Sequence, residues 1–276
     1  MKLFTEGSVA LVTGASRGIG ADIVRTLARE GAEVLFTYRQ AEEQARALEK
    51  EVRSEGGAAT AYRVDVTDEA AVRDIFREVR HQHGRLDTLI CNAGIRRDGL
   101  MASMSTDQFA SVVQVNLIGT FLCCREGLRL MMPRRSGSIT LVASAVGHVA
   151  AVGQANYCAS KAAIQSLART MALEAAPYGI RINSVSPGYV DTDMSRGVPP
   201  DVLETQIEHV PLKRLATTEE VARAITMMAS EGYSYATGTD VLIDGGALSG
   251  LMSPPRILSG RRAWLSAAST ARNGKV

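Results

Sequence analysis

One stretch near the N-terminus decides the fold, Ser8-Val9-Ala10-Leu11-Val12-Thr13-Gly14-Ala15-Ser16-Arg17-Gly18-Ile19-Gly20. Five of its first six residues, Val9 to Thr13, are apolar or β-branched and predict a buried strand, whereas Ile23, Val24, Leu27 and Ala28 follow at helical spacing. A strand, a glycine turn and a helix in this order point backbone N–H groups and a helix N-terminus at a phosphate. The spacing Gly-x3-Gly-x-Gly departs from the commoner Gly-x-Gly-x-x-Gly pattern. We therefore predict a dinucleotide phosphate site, and the alternative is a tight turn that needs glycine for backbone reasons. The predicted contacts are Gly14, Ser16, Arg17, Gly18, Ile19 and Gly20.

Strands and helices alternate along the rest of the chain. Further strands are predicted at 33–38, 59–64, 86–91, 138–142, 180–185 and 241–243, with helices at about 41–54, from near Asp68, at 107–132, around Tyr157 and at 219–229. The Pro-containing stretch from Met194 to Pro211 is predicted to be an irregular active-site lid. The alternation shows no internal boundary, which predicts one α/β domain over residues 1–250.

The second strand ends without the carboxylate that would bind the adenine ribose in an NAD site. Tyr38 and Arg39 stand there instead, and Arg17 lies inside the glycine turn. Two guanidinium groups suit a 2′-phosphate, so the cofactor is predicted to be NADP(H). The alternative is that Arg39 is a solvated charge at the end of a strand.

The third and fourth strands end in further candidate cofactor contacts. Asp65-Val66 closes the third strand, where the aspartate either reaches the adenine amino group or caps the next helix. Asn92-Ala93-Gly94 closes the fourth, and its small residues allow a cofactor to lie flat across the strand ends.

Tyr157 and Lys161 are four residues apart and share one face of a predicted helix. The pKa of a phenol is ordinarily about 10, so general acid–base work near neutrality needs a shift worth about 4 kcal/mol. An ammonium about 4 Å away supplies a comparable Coulomb energy at an effective dielectric of about 20. The alternative is an ordinary amphipathic tyrosine below a solvated lysine. Asn116, in the middle of a predicted helix, needs a partner for its side chain.

Composition narrows the class of protein. The chain is 46% hydrophobic with a formal net charge of +2, which argues against a nucleic-acid surface. With no apolar run of membrane-spanning length and no signal-peptide core, we expect a cytoplasmic protein that binds neither membrane nor nucleic acid. The four cysteines lack Cys-x-x-Cys spacing and predict buried reduced thiols. His81 and His83, in a predicted polar link, have no metal-ligand spacing, so no metal is expected.

The last 26 residues, 251–276, differ from the rest. They carry five basic residues and no acidic one, together with the only tryptophan, Trp264. We expect a basic, poorly ordered C-terminal extension, with a possible short docking helix from Ile257 to Ala268.

Taken together, these motifs resemble the classical short-chain dehydrogenase/reductases over about residues 5–247. The resemblance is carried by the stretch from Thr13 to Gly20, Asn92-Ala93-Gly94, Ser144, Tyr157-x3-Lys161 and Pro187-Gly188, in that order. Within that family the chain is most similar to the 3-oxoacyl-[acyl-carrier-protein] reductases. Ile95 to Met101, Gly153 to Tyr157, Pro187 to Met194 and Val210 to Leu215 support this.

The resemblance implies a three-layer, doubly wound Rossmann fold with a seven-stranded parallel sheet of order 3-2-1-4-5-6-7. It implies a catalytic tetrad in which Ser144 holds the substrate carbonyl and Tyr157 donates its proton. The resemblance further implies that Lys161 binds the nicotinamide ribose and lowers the Tyr157 pKa, and that Asn116 anchors a water. Further implied cofactor contacts are Asn92, Pro187, Gly188, the Val190 backbone and Thr192. The implied assembly is a homotetramer, formed through the helices that bear Asn116 and Tyr157 and through the C-terminal strand.

The expected function is NADPH-dependent reduction of a 3-oxoacyl thioester carried by an acyl carrier protein. An acidic carrier calls for a basic patch near the substrate entrance, and the candidates are Arg97, Arg125, Arg129, Arg134 and Arg135. Alternatives are a sibling enzyme acting on another small ketone or alcohol, such as a polyketide, sugar or steroid, and a nicotinamide-binding regulator without catalysis. His148, four residues after Ser144, either touches substrate or belongs to a surface loop.

Overall fold

The computed structural model describes residues 3–5, 7–196 and 200–249. Within them lies one parallel sheet of seven strands in the order β3-β2-β1-β4-β5-β6-β7. The strands are β1 (Val9–Val12), β2 (Glu33–Tyr38), β3 (Ala58–Arg63), β4 (Thr88–Cys91), β5 (Gly137–Val142), β6 (Ile180–Pro187) and β7 (Asp240–Ile243). This confirms the predicted fold class and strand order. The extension at 251–276 lies outside the described residues.

Helices cover both faces of the sheet. They are α1 (Gly18–Arg29), α2 (Glu42–Ser54), α3 (Glu69–His83), α4 (Thr106–Val113), α5 (Thr120–Met131), α6 (Ala155–Ala175), α7 (Asp193–Arg196), α8 (Pro200–His209) and α9 (Thr218–Ala229). Two buried clusters result, one beneath α1, α2 and α9 and the other beneath α3, α5 and α6. Both faces of the strands are therefore covered, which explains why β1 and β4 read as continuous apolar runs.

The helix predicted over 107–132 is interrupted by a π-helical segment, Gln114–Gly119, between α4 and α5. The C-terminal end of α3 also differs from the prediction, because His81 and His83 form its last turn and do not lie in a link. The stretch predicted to be an irregular lid contains α7 and α8. The expectation of irregular structure was wrong there, because Pro200 stands at the first position of α8, where a helix tolerates proline, and the role as a lid stays a prediction.

Strands β1 to β3 extend the sheet in one direction and strands β4 to β7 extend it in the other, so the topological switch point lies between the neighbouring strands β1 and β4. Parallel strands end at the same edge, so the segments after β1, β4, β5 and β6 all gather at one crevice. In the described part of the chain, no helix is both long and apolar enough to cross a bilayer.

Candidate active site

The glycine turn after β1 packs directly on the end of β4. Gly14 has a φ of +63°, and a Cβ at this position would lie 2.7 Å from Cα of Ala93. At Gly20 a Cβ would lie 2.6 Å from Nδ2 of Asn92. Glycine is therefore required here both for backbone conformation and for close approach.

Two threonines that the sequence analysis missed hold this junction together. The Thr13 hydroxyl accepts hydrogen bonds from the backbone N–H groups of Asn92 at 3.0 Å and Ala93 at 3.1 Å. The Thr37 hydroxyl accepts one from the Gly14 N–H at 3.2 Å. Asn92 in turn donates to the carbonyl oxygens of Thr13 and Gly14. The signal was the position of each threonine, at or near the carboxyl end of a strand.

Gly18 faces open space. Its φ is +58°, and the nearest atom to a Cβ at Gly18 would be Cγ2 of Thr192, 3.9 Å away. Arg17 precedes α1 as its N-cap, and its side chain does not cap the N–H groups of the first turn. The turn, the start of α1 and Thr192 thus surround a cradle whose donors suit a phosphate.

The segment that follows β6 borders the cradle on the side of Thr192. A Cβ at Gly188 would lie 2.8 Å from Cα of Asp244, so Pro187-Gly188 passes tightly over the end of β7. Val190 forms an isolated bridge with Ala216, and the Thr192 N–H donates to the Ser195 hydroxyl at 2.9 Å. These contacts fix the path of the chain over the glycine turn.

The arginines predicted to contact a 2′-phosphate both lie at this edge, and each has an acidic neighbour. Nη1 of Arg17 is 3.3 Å from Oδ2 of Asp193, and Nη1 of Arg39 is 3.6 Å from Oδ2 of Asp65. Asp65 does not cap the following helix. Its carboxylate accepts from the N–H and hydroxyl of Thr67, while Asp68 is the N-cap of α3.

The four residues expected to form the tetrad surround one point beyond the ends of β4 and β5. The Ser144 hydroxyl is near the phenol of Tyr157 and lowers its pKa. Nζ of Lys161 lies 5.6 Å from the centroid of the Tyr157 ring and donates to the Val142 carbonyl at 2.7 Å. A Cβ at Gly94 would lie 3.4 Å from Oδ1 of Asn116 and 3.7 Å from Nζ of Lys161.

Burial dominates the electrostatics of this pair. Burial raises the pKa of Tyr157, whereas the nearby Ser144 hydroxyl and the charge of Arg96 lower it. It lowers the pKa of Lys161 to about 8. The prediction that the ammonium brings the phenol below its usual pKa is therefore wrong for the protein alone, because both groups lose water together.

Asn116 finds the partners that its place in a helix requires. Its Oδ1 accepts from the Ile95 N–H at 2.8 Å, and its Nδ2 donates to the Ile95 carbonyl and the Ser160 hydroxyl, each at 3.0 Å. The residue lies in the π-helical segment, a feature common at functional sites. Asn116 thus ties the strand-end loop to α6, which carries Tyr157.

Comparison with known proteins places the chain in a family. Residues 14–247 match a family model described as "Enoyl-(Acyl carrier protein) reductase". The chain belongs to the short-chain dehydrogenase/reductase family. Members use a nicotinamide cofactor, and the glycine cradle and uncapped start of α1 fit its pyrophosphate.

Similar dehydrogenase/reductases align over most of their own length. The 3-oxoacyl-[acyl-carrier-protein] reductase FabG of Staphylococcus aureus strain Mu50 is 38% identical over 86% of this chain and 96% of its own. FabG of Escherichia coli K12 is 37% identical over 87% and 97%. Among solved structures, gox2181 has a TM-score of 0.87 at 34% identity, covering 90% of this chain and 98% of its own. A mutant of a Serratia marcescens short-chain dehydrogenase/reductase has a TM-score of 0.84 at 34% identity, covering 90% and 99%.

Proposed function

We propose that this oxidoreductase uses NADPH to reduce the 3-keto group of a 3-oxoacyl thioester carried by an acyl carrier protein. The observation that carries the proposal is that Ser144, Tyr157 and the buried Lys161 meet at one point beside the glycine cradle. Relatives with 37–38% identity are named as 3-oxoacyl reductases, which supports this substrate class.

The chemistry divides among the side chains of this site. When bound, the reduced nicotinamide supplies a hydride to the carbonyl carbon of the substrate. Two hydroxyl groups, those of Ser144 and Tyr157, hold the carbonyl oxygen, and Tyr157 donates its proton to it. A raised pKa keeps the phenol protonated near neutrality, as the acid of a reduction must be.

Lys161 and Asn116 support this proton transfer. An ammonium has three N–H groups, and the hydrogen bond to Val142 leaves two of them for the hydroxyls of the nicotinamide ribose. The π-helical turn around Asn116 loosens the regular helical hydrogen bonding there, so a backbone carbonyl can anchor the water of a proton relay.

The preference for NADPH rests on Arg17 and Arg39 at the mouth of the cradle. Replacing Arg39 by glutamine removes a guanidinium from the 2′-phosphate side, so the ratio of kcat/KM for NADPH over NADH should fall at least about 10-fold. The matched control is Arg77→Gln, on the surface of α3, which should leave the ratio unchanged. An unchanged ratio in Arg39→Gln would refute the assignment.

The basic residues expected to receive the carrier protein are scattered. Arg125 and Arg129 are paired with Glu126, and Arg125 also contacts Glu69. Arg134 and Arg135 precede β5 and lie at the sheet edge opposite the site. Arg97 alone among the five candidates lies in the loop that borders the site, where its carbonyl accepts from Asn156. We therefore assign to Arg97 the positive charge that attracts the acidic carrier protein to the substrate entrance.

The decisive experiment follows NADPH oxidation across 3-oxoacyl thioesters of carrier protein and of coenzyme A, together with free ketones. Turnover of the thioesters, with kcat lowered by about 10²-fold or more in Tyr157→Phe, is expected because the phenol is the proton donor. The dissociation constant of NADPH should stay unchanged in that variant. Turnover of free ketones alone would identify a sibling reductase. Tight NADPH binding without any turnover would identify a regulator.

A further inference from the structure

A network of side chains beneath the Ser144 loop takes no part in the mechanism above. The loop is the short 3₁₀ turn Ala145–Gly147, with Ser144 before it and His148 after it. Gln165, on α6, lies one turn beyond Lys161 and two turns beyond Tyr157, and therefore on the same face. It is buried, being 4% exposed.

Gln165 acts as the donor in both of its hydrogen bonds within the described residues. Its Nε2 donates to the Ser144 carbonyl at 3.3 Å and to the Ser186 hydroxyl at 2.9 Å. A carboxamide nitrogen has two N–H groups, so both are used. The Ser186 hydroxyl donates onward to the Asp240 carboxylate, with distances of 2.9 and 2.8 Å to its two oxygens.

Asp240 is where the network converges. It is the first residue of β7, and its side chain is 11% exposed. Its carboxylate also accepts from the Ser184 hydroxyl and lies 2.6 Å from Nε2 of His148. Burying a carboxylate is costly unless several donors surround it, and three side chains do so here. Because His148 returns to the loop that starts at Ser144, the network forms a closed ring.

The ring holds the loop at both ends. A Cβ at Gly147 would lie 2.8 Å from Nε2 of Gln165, so the turn rests directly on that carboxamide. Within the described residues, the hydrogen bonds of the Ser144 hydroxyl are long, 3.5 Å to the Pro187 carbonyl and 3.5 Å from the Val146 N–H. The direction of this hydroxyl is therefore set by the backbone that carries it.

We propose that Gln165, Asp240 and His148 are positioning residues of the reductase, which act on the reaction by fixing the Ser144 hydroxyl toward the substrate oxygen. This rests on the role given to Ser144 in the proposed function. It also explains His148, because the ring nitrogen that faces Asp240 holds the loop and does not bind substrate. Small displacements of a reacting group lower rates without large changes in binding.

A double-mutant cycle on Ser144 tests the proposal. Gln165→Leu and His148→Leu should each lower kcat about 10- to 100-fold, with the NADPH dissociation constant changed less than about 2-fold. His148→Gln, whose carboxamide N–H can take the place of Nε2–H, should recover most of the loss. In a Ser144→Ala background the same leucine substitutions should cost less than about 2-fold, since there is no hydroxyl left to position.

Three outcomes have distinct meanings. Equal losses in both backgrounds, or no loss in either, would overturn the positioning role while leaving the proposed reaction in place. If the wild type reduces only other ketones, the substrate assignment fails, and the cycle is run on that ketone. Lack of turnover on every carbonyl compound would overturn both. His81→Gln, at the exposed end of α3, is the matched control and should change nothing.

Discussion

Lys161 is a cation held almost entirely away from water, since the residue is 4% exposed. The sequence spacing correctly predicted that Lys161 lies near Tyr157. The spacing did not reveal how burial shifts the pKa of both groups. Desolvation depends on the loops that cover the pair, and those loops come from distant parts of the chain. For this reason the proximity of Lys161 to Tyr157 was predictable from the sequence, whereas the direction of the tyrosine pKa shift was not.

The lowered pKa of Lys161 predicts a dependence of stability on pH. Between about pH 8 and 10.5 the unfolded chain binds a proton at this lysine that the folded protein has released, so this group makes folding more favourable as pH rises. The full effect is on the order of 3 kcal/mol. The difference in unfolding free energy between wild type and Lys161→Met, measured by urea denaturation without cofactor, should change in favour of wild type across this range. A flat difference would show that the amine is not desolvated.

At the level of elements, the glycine turn was predictable because its chemistry is local. A strand, three glycines and a helix follow one another within about 20 residues. The π-helical segment was not predictable, since it depends on hydrogen bonds between Asn116 and Ile95, and Ile95 precedes Asn116 by 21 residues. The odd position of the asparagine was visible in the sequence, but its partner was not.

The cradle predicts contrasting effects for two glycines with positive φ. Gly18→Ala and Gly31→Ala should each destabilise the protein by about 1 kcal/mol, since φ is +58° and +90° and neither Cβ meets an atom closer than 3.9 Å. Only Gly18→Ala places its methyl group in the cradle, so it alone should weaken NADPH binding, by about 10-fold or more. Calorimetry and thermal unfolding measure the two effects separately. Equal NADPH affinities in the two variants would show that the cofactor phosphate does not bind at Gly18.

For the whole molecule, periodicity gave the number and sequence of strands but not their order across the sheet. The order came from family resemblance, because long-range pairing leaves no mark on local pattern. The same limit applies to Asp240 and Gln165. They are far apart in sequence and look like surface residues, and only folding brings both to the Ser144 loop.

The outer face of α4 and α5 is where we expect the chain to assemble. Phe109, Ile118 and Phe121 are 37–41% exposed there, an apolar surface that water would not favour in an isolated subunit. An ammonium at position 121 would place a charge on this apolar face, where a subunit contact would remove water from it. Phe121→Lys should therefore dissociate the assembly, lowering the mass in light scattering from about four times the 29.4 kDa chain mass. The control Gln44→Lys, on the exposed side of α2, adds the same charge elsewhere and should leave the mass unchanged.

A wild type that scatters as one chain would contradict the expectation. Loss of mass with full activity would show instead that each subunit holds Asn116 in place on its own, because Asn116 lies between α4 and α5, whose outer face is tested here.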